Sequence, residues 1–187
     1  MEEGLERLAS IDEVIAFWRE AGEAKWFSRD EAFDAACRER FLATYEAAAE
    51  GDLAEWELSP KGALALLILL DQLPRNMFRG TRRVYATDPA ALLTAERAIE
   101  RGFDGEVEPE LRRFFYLPFM HAEDLAAQER CVALHEAAGD VDNLKWARHH
   151  RDIIARFGRF PHRNAILGRE STEAERAYLA EEGAFAG

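Results

Sequence analysis

Apolar residues recur along this chain at every third or fourth position, and no run of four or more residues alternates with the period of a half-buried strand. The pattern predicts an all-α protein. Ser10-Ile11-Asp12-Glu13 has capping-box spacing, and Ile11, Val14, Ile15 and Trp18 follow at helical intervals up to Gly22, which predicts a first helix over residues 11–21. Ser28-Arg29-Asp30-Glu31 repeats the device. It opens a helix with Phe33, Cys37, Phe41, Thr44 and Tyr45 on one face before Gly51, and Trp26-Phe27 between the two is placed to staple them together. Asp52 to Glu57 reads as one loose turn burying Trp56.

Ser59-Pro60 supplies an N-cap and a proline at the first helical position. The run Ala63 to Leu70 behind it is apolar on every side, as expected of the most buried helix, which ends at Asp71-Gln72-Leu73-Pro74. Asp88-Pro89 starts another helix, with Ala91, Leu92, Ala95, Ala98 and Ile99, that stops at Gly102. Pro109 is expected to open a short helix through Tyr116, interrupted at Pro118, with a longer one from His121 to Ala138. Gly139-Asp140 leads into a helix over residues 142–157 that folds back on its predecessor, with Trp146, Ile153 and Phe157 on one stripe and His150 near its centre. Thr172 to Glu175 is a further capping box before Ala177, Tyr178 and Leu179.

Two corners echo each other. Pro74-Arg75-Asn76-Met77-Phe78-Arg79-Gly80 and Pro161-His162-Arg163-Asn164-Ala165-Ile166-Leu167-Gly168 both run from proline through Arg-Asn to apolar residues and glycine, the pattern of an Asn-capped turn closed by glycine. The segment 142–169 holding the second corner concentrates anchors, helix breakers and polar groups as no other stretch does, and we take it as the hub of the fold.

At 187 residues and 48% apolar content the chain suits one domain, 1–187, with a sizeable core. The longest apolar run is far below the ~20 residues that span a bilayer, and no basic-then-apolar leader opens the sequence. Cys37 and Cys131 show no ligand spacing. A soluble cytoplasmic protein with reduced thiols is expected, without a cofactor and without a metal site.

The formal charge of −12 argues against nucleic acid or an anionic membrane as partner. Its distribution adds more. Residues 143–169 hold seven Lys/Arg against Asp152 alone, and residues 71–83 hold four Arg against Asp71. Such islands in an acidic chain either neutralise acidic neighbours inside the fold or face a small anion. Guanidinium forks and amides suit planar carboxylates or phosphates, and neutral imidazoles serve acid/base chemistry near pH 7. Arg75, Asn76, Arg79, His150, Arg156, Arg159, Arg163 and Asn164 are accordingly the candidate ligand-binding residues, for a small anion or an acidic or carboxylate group of a peptide. Zinc-helix, phosphate-loop, nucleophile-elbow and dinucleotide signatures are absent. An enzymatic alternative is a small hydrolase or transferase acting on a phosphorylated or acyl substrate, with His121 and His162 as acid and base and Asp71 or Glu123 orienting one of them. A third reading makes the polar clusters purely structural, each arginine held by an acid of the same fold.

The strings Leu69-Leu70-Asp71-Gln72-x-Pro74-Arg75-Asn76-x-Phe78-Arg79-Gly80, Tyr116-Leu117-Pro118-Phe119-Met120-His121-x-Glu123-Asp124 and Arg156-Phe157-Gly158-Arg159-Phe160-Pro161-His162-Arg163-Asn164-x-x-Leu167-Gly168-Arg169, with Phe17-Trp18 and Trp26-Phe27, resemble a bacterial family known as domain of unknown function 924. The resemblance spans nearly the whole chain. It implies a tetratricopeptide-like, right-handed stack of antiparallel helix hairpins, and it brings no activity, cofactor or substrate with it.

Overall fold

The computed structural model describes residues 7–181 and 184–185. The protein is all-α, with no strand among the described residues. These residues group into two compact units. One is built from the chain up to Arg79 together with Arg83–Pro118, the other from Gly80–Arg82 and the chain from Phe119 onward.

The first unit begins with α1 (Ile11–Ala21), where Ser10 and Glu13 form the expected capping box. After the single turn α2 (Glu23–Trp26), Trp26 stacks on Trp18 at 6.1 Å between ring centroids, and its Nε1 donates to the Trp18 carbonyl at 2.6 Å. The following helix, α3 (Glu31–Glu50), is capped by Asp30 and not by Ser28. Asp30 is extended, and its Oδ1 accepts from the N–H groups of Ala32 and Phe33 at 3.0 Å each, which starts the helix two residues beyond the serine.

A 3-10 turn (Ala54–Leu58) follows, and it buries Leu53 while Trp56 stays half-exposed, contrary to the pattern. This turn lies directly against α4 (Pro60–Leu67), where a Cβ on Gly62 would sit 2.0 Å from the Trp56 carbonyl oxygen, so only glycine permits the approach. Beyond α4 the helix does not stop at Asp71. Pro74 has no N–H to return to Leu70, so the chain widens into a π-helical turn (Ile68–Gln72) in which Leu73 N–H reaches back to Ile68. The Leu70 carbonyl takes the Thr87 hydroxyl instead, at 2.6 Å. Helical backbone then resumes as α5 (Leu73–Met77).

Thr87, not Asp88, occupies the cap position of α6 (Asp88–Glu100), because the Asp88 carboxylate is engaged by Arg75. Residues 109–112 form turns, and α7 (Arg113–His121) runs straight through Pro118. An interior proline costs roughly 3 kcal/mol. Burial of Phe114, Phe115, Tyr116, Leu117, Phe119 and Met120, at roughly 1.5–3 kcal/mol each, outweighs it.

In the second unit His121 closes α7, and Asp124 starts α8 (Leu125–Ala138) by accepting from Ala127 N–H at 2.8 Å, so this helix begins four residues later than the hydrophobic pattern suggests. Gly139 adopts φ +66° at its end, and α9 (Val141–Phe157) packs back on α8 as the expected hairpin. The buried stripe of α9 is Ala147, His150, Ile153 and Ile154. Trp146 lies in line with Ile153 yet is 51% exposed, because the first half of α9 contributes only Ala147 to the core. A 3-10 turn (Pro161–Arg163), α10 (Asn164–Leu167) and α11 (Glu173–Leu179), the last with the Thr172 capping box, complete the unit around the fully buried Phe160. Among the described residues no helix is long and apolar enough to cross a membrane.

Candidate functional site

The candidate residues divide between the units, with Asp71, Arg75, Asn76 and Arg79 in the first and His121, Glu123, His150, Arg156, Arg159, His162, Arg163 and Asn164 in the second. In the first unit Arg75 reaches from α5 to Asp88 with a two-pronged contact of 3.0 and 3.1 Å and lies 3.4 Å from the buried Asp71. Asp71 Oδ2 also accepts from Gln72 Nε2. Burial alone would weaken the Arg75 proton, but the two carboxylates more than offset this and keep it charged. Four residues on, Arg79 grips Asp34 at 2.8 and 3.0 Å, and Asn76 Nδ2 donates to the same carboxylate at 2.8 Å. Burial pushes the Asp34 carboxyl up, while Arg79 and Asn76 outweigh it and hold it below the usual carboxylate range.

The second corner repeats this chemistry with different partners. Arg159 holds Glu175 at 2.6 and 2.8 Å, Asn164 Nδ2 donates to it at 3.2 Å, and the Thr172 N–H adds a third kind of donor at 2.8 Å. The Arg159 contact, with smaller help from Thr172 and Asn164, draws the Glu175 carboxyl down to about 2 against the pull of burial. Neither Asn76 nor Asn164 caps a helix, contrary to expectation, although Gly168 does close α10 in the left-handed conformation. Each asparagine instead shares a carboxylate with an arginine. Glu123 is likewise engaged, accepting from both terminal nitrogens of Arg169 at 2.6 and 2.9 Å and from Phe160 N–H at 2.8 Å. Desolvation raises its pKa, but these donors more than compensate and lower it.

Imidazoles gather elsewhere in the second unit. His150 is buried on α9, its Nδ1 lying 2.8 Å from the Trp146 carbonyl, which can only accept, so Nδ1 carries the hydrogen. Its ring lies 5.6 Å from Phe160 and 4.5 Å from Phe185, and Phe185 in turn meets His162 at 4.9 Å and His149 at 6.0 Å, each pair edge-on. His149 extends the set to the exposed Trp146 at 6.2 Å. Burial above all, reinforced by His121, His149 and His162 nearby, drives the His150 pKa down to about 3. Arg163 stacks over Phe160 at 4.6 Å and donates to the His121 carbonyl at 2.9 Å. Arg156 is exposed and lies over Phe157 at 4.7 Å and Tyr178 at 5.7 Å, with no carboxylate on it among the described residues.

The periodicity of α9 places His150 at the centre of a buried stripe, but nothing in the pattern singles out Phe185, a lone aromatic among Gly and Ala. Asp34 and Glu175 as arginine partners are equally invisible, since they stand 45 and 16 residues from Arg79 and Arg159. No group of three or more His, Cys, Asp or Glu among the described residues is arranged to hold a metal ion. Burial pushes both the Cys37 and Cys131 thiols up to about 12.

A consequence for pH dependence follows from His150. Its folded pKa is depressed, so the unfolded chain binds the extra proton first and the stabilisation present above about 6.5 is lost as the pH falls toward about 3. Chemical denaturation between pH 6.5 and 5, above the carboxylate range, is expected to show stability falling by up to about 1.4 kcal/mol per pH unit. A His150→Phe variant should flatten that slope, and an unchanged slope would mean that His150 titrates normally.

An all-α protein of two helical units, with ion-paired corners and an aromatic–imidazole cluster, is thus the class that the geometry defines. The chain belongs to the bacterial proteins of unknown function described as DUF924, whose family model matches residues 14–183. It is similar to a solved structure, the protein of unknown function ATU0120 from Agrobacterium tumefaciens, with 51% identity over 92% of this chain and 97% of that one and a TM-score of 0.88. No curated protein matches.

Proposed function

We propose that the protein is a non-enzymatic binding protein whose second unit takes a carboxylate-bearing group, such as the acidic end of a peptide or a small aromatic acid. The observation that carries this is Arg156, a guanidinium laid on Phe157 and Tyr178 with no carboxylate partner among the described residues. Its neighbour Phe157 is part of the same apolar cluster as Phe160 and Phe185, which the imidazoles surround. The forks of Arg75, Arg79 and Arg159 already hold carboxylates of the fold, so they serve architecture in this reading. Arg156 supplies charge, His149 and His162 supply hydrogen bonds, and Phe157, Tyr178 and Phe160 supply an apolar floor.

Calorimetric titration with N-acetyl-L-phenylalanine and with its uncharged amide tests this. The acid is expected to bind about 10-fold more tightly than the amide, a difference of about 1.4 kcal/mol, and Arg156→Ala should erase the preference. Absence of binding by both compounds, or equal binding, would overturn the proposal.

A second reading has one observation in its favour, that His121 and His162 both lie close enough to His150 to oppose its protonation. Two imidazoles so placed suit acid/base work on a phosphorylated or acyl substrate, although Glu123, bound to Arg169 and Phe160, is not available to orient either. Hydrolysis of p-nitrophenyl phosphate abolished by both His121→Ala and His162→Ala would support it, and background rates in the unaltered protein would end it.

A further inference from the structure

We propose that the imidazole cluster of the second unit is a receptor for the aromatic side chain of a peptide, and that Phe185 from the chain's own C-terminal segment occupies it in cis. This rests on the reading of that region as a peptide-binding site and deepens it by naming the occupant.

The core around the cluster, formed by Ile153, Ile154, Phe160 and Tyr178, comes from α9, α11 and the turn between Gly158 and Pro161. Phe185 does not belong to any helix. It lies six residues beyond the end of α11, and it is only half-buried. Yet its ring is the point at which three imidazoles meet, with His150 at 4.5 Å, His162 at 4.9 Å and His149 at 6.0 Å, at interplanar angles of 66°, 85° and 77°. Phe160 closes the floor at 6.5 Å. Main-chain contacts fix the segment beside the ring, the Phe185 N–H donating to the Tyr178 hydroxyl at 3.2 Å and the Ala184 N–H to the Glu181 carbonyl at 3.2 Å.

An aromatic side chain seated edge-on among rings and a main-chain N–H held by a side-chain hydroxyl are contacts by which a peptide is recognised, and neither requires the peptide to be covalently attached. Tethering does require that any incoming aromatic group displace Phe185 first. If the segment occupies the cluster about nine-tenths of the time, apparent affinity for a competitor drops about 10-fold. A neutral imidazole suits this role: the His150 ring, held uncharged by burial, meets the phenyl ring without placing a buried cation beside it.

The test uses the full chain, unaltered and as Phe185→Ala, with a synthetic peptide of residues 179–187 added in trans and the ring resonances of His149, His150 and His162 followed by NMR. We expect the peptide to shift these resonances saturably in Phe185→Ala, to do so about 10-fold more weakly in the unaltered chain, and to do nothing when its phenylalanine is replaced by alanine. Equal binding to both chains, no binding to Phe185→Ala, or equal binding of the alanine peptide would each overturn the inference. Tight binding of N-acetyl-L-phenylalanine to the unaltered chain, unchanged in Phe185→Ala, would overturn it while leaving the proposed function standing. Phe185→Leu, which keeps apolar bulk without a π-face, serves if the alanine variant unfolds, and it too should admit the peptide.

Discussion

Glu175→Ala is expected to cost about 2–3 kcal/mol of stability, the range for losing hydrogen bonds to a buried charged group whose partner stays partly solvated, and so to lower the melting temperature by roughly 5–10 °C. The carboxylate is almost completely buried and is the meeting point of the Arg159 fork, the Asn164 amide and the Thr172 N–H. Without it the Arg159 guanidinium loses its counter-ion, Asn164 keeps only Ser171 as acceptor for its amide, and the N-terminus of α11 loses half its capping box. Because Arg159 draws the folded pKa from 4.5 to about 2, the stabilisation from Glu175 is fully present above pH 4.5 and is lost as the pH falls through about 2. Thermal melts of the variant and of the unaltered chain should therefore converge as the solution is acidified. A variant as stable as its parent at pH 7 would show that the corner is not held together by this acid.

Trp18→Ala is expected to cost more, about 3–5 kcal/mol, for a different reason. Trp18 is wholly buried in the first unit, parallel to Trp26 at 6.1 Å and edge-on to Phe114 at 5.8 Å, with Phe33 at 6.1 Å. Deleting the indole removes the shared face of α1, α2, α3 and α7, and these elements cannot all move inward to fill one void. Trp18→Phe should lose less than half as much, since Trp18 Nε1 has no partner whose loss would add to the cost. Urea titrations of the two variants measure the difference, and an alanine variant within about 1 kcal/mol of the parent would contradict the packing described.

How much of this the residues foretell depends on the range over which each signal acts. The boundaries of α1 and the capping box of α11 are legible because the determinant, a serine or threonine three residues before a glutamate, is local. The α8/α9 hairpin is legible for the same reason, since Gly139 and Asp140 define the turn chemically. The continuation of helix past Asp71 and through Pro118 is not, because it follows from a Thr87 hydroxyl taking the orphaned Leu70 carbonyl and from tertiary burial of α7. Trp146 misleads for the mirror-image reason: its angle on α9 is in line with Ile153, but the buried stripe begins only at Ala147.

The candidate site was legible in kind and only partly in place. Arginine and asparagine side chains at the two corners do bind carboxylates, but those of Asp34, Asp88 and Glu175 within the fold. Sequence spacing cannot reveal such partners, because the acids are brought in by tertiary packing. His149, His150 and His162 gather within the hub segment, and the fold adds His121 from the end of α7, which no spacing in the sequence links to them. Phe185, the neighbour that His149, His150 and His162 share, carries no periodic or motif signal at all.

The most direct measurement compares Arg156→Ala with Arg79→Ala by calorimetric titration of N-acetyl-L-phenylalanine and by thermal melting. Arg156 lies exposed on Phe157 and Tyr178, whereas Arg79 is clamped to Asp34. The expected result is a loss of about 10-fold or more in affinity with an unchanged melting temperature for Arg156→Ala, and the reverse, unchanged affinity with a melting temperature lowered by several degrees, for Arg79→Ala. Equal loss of affinity in both variants, or none in Arg156→Ala, would contradict the division between ion-paired corners that hold the fold and an aromatic–imidazole site that binds.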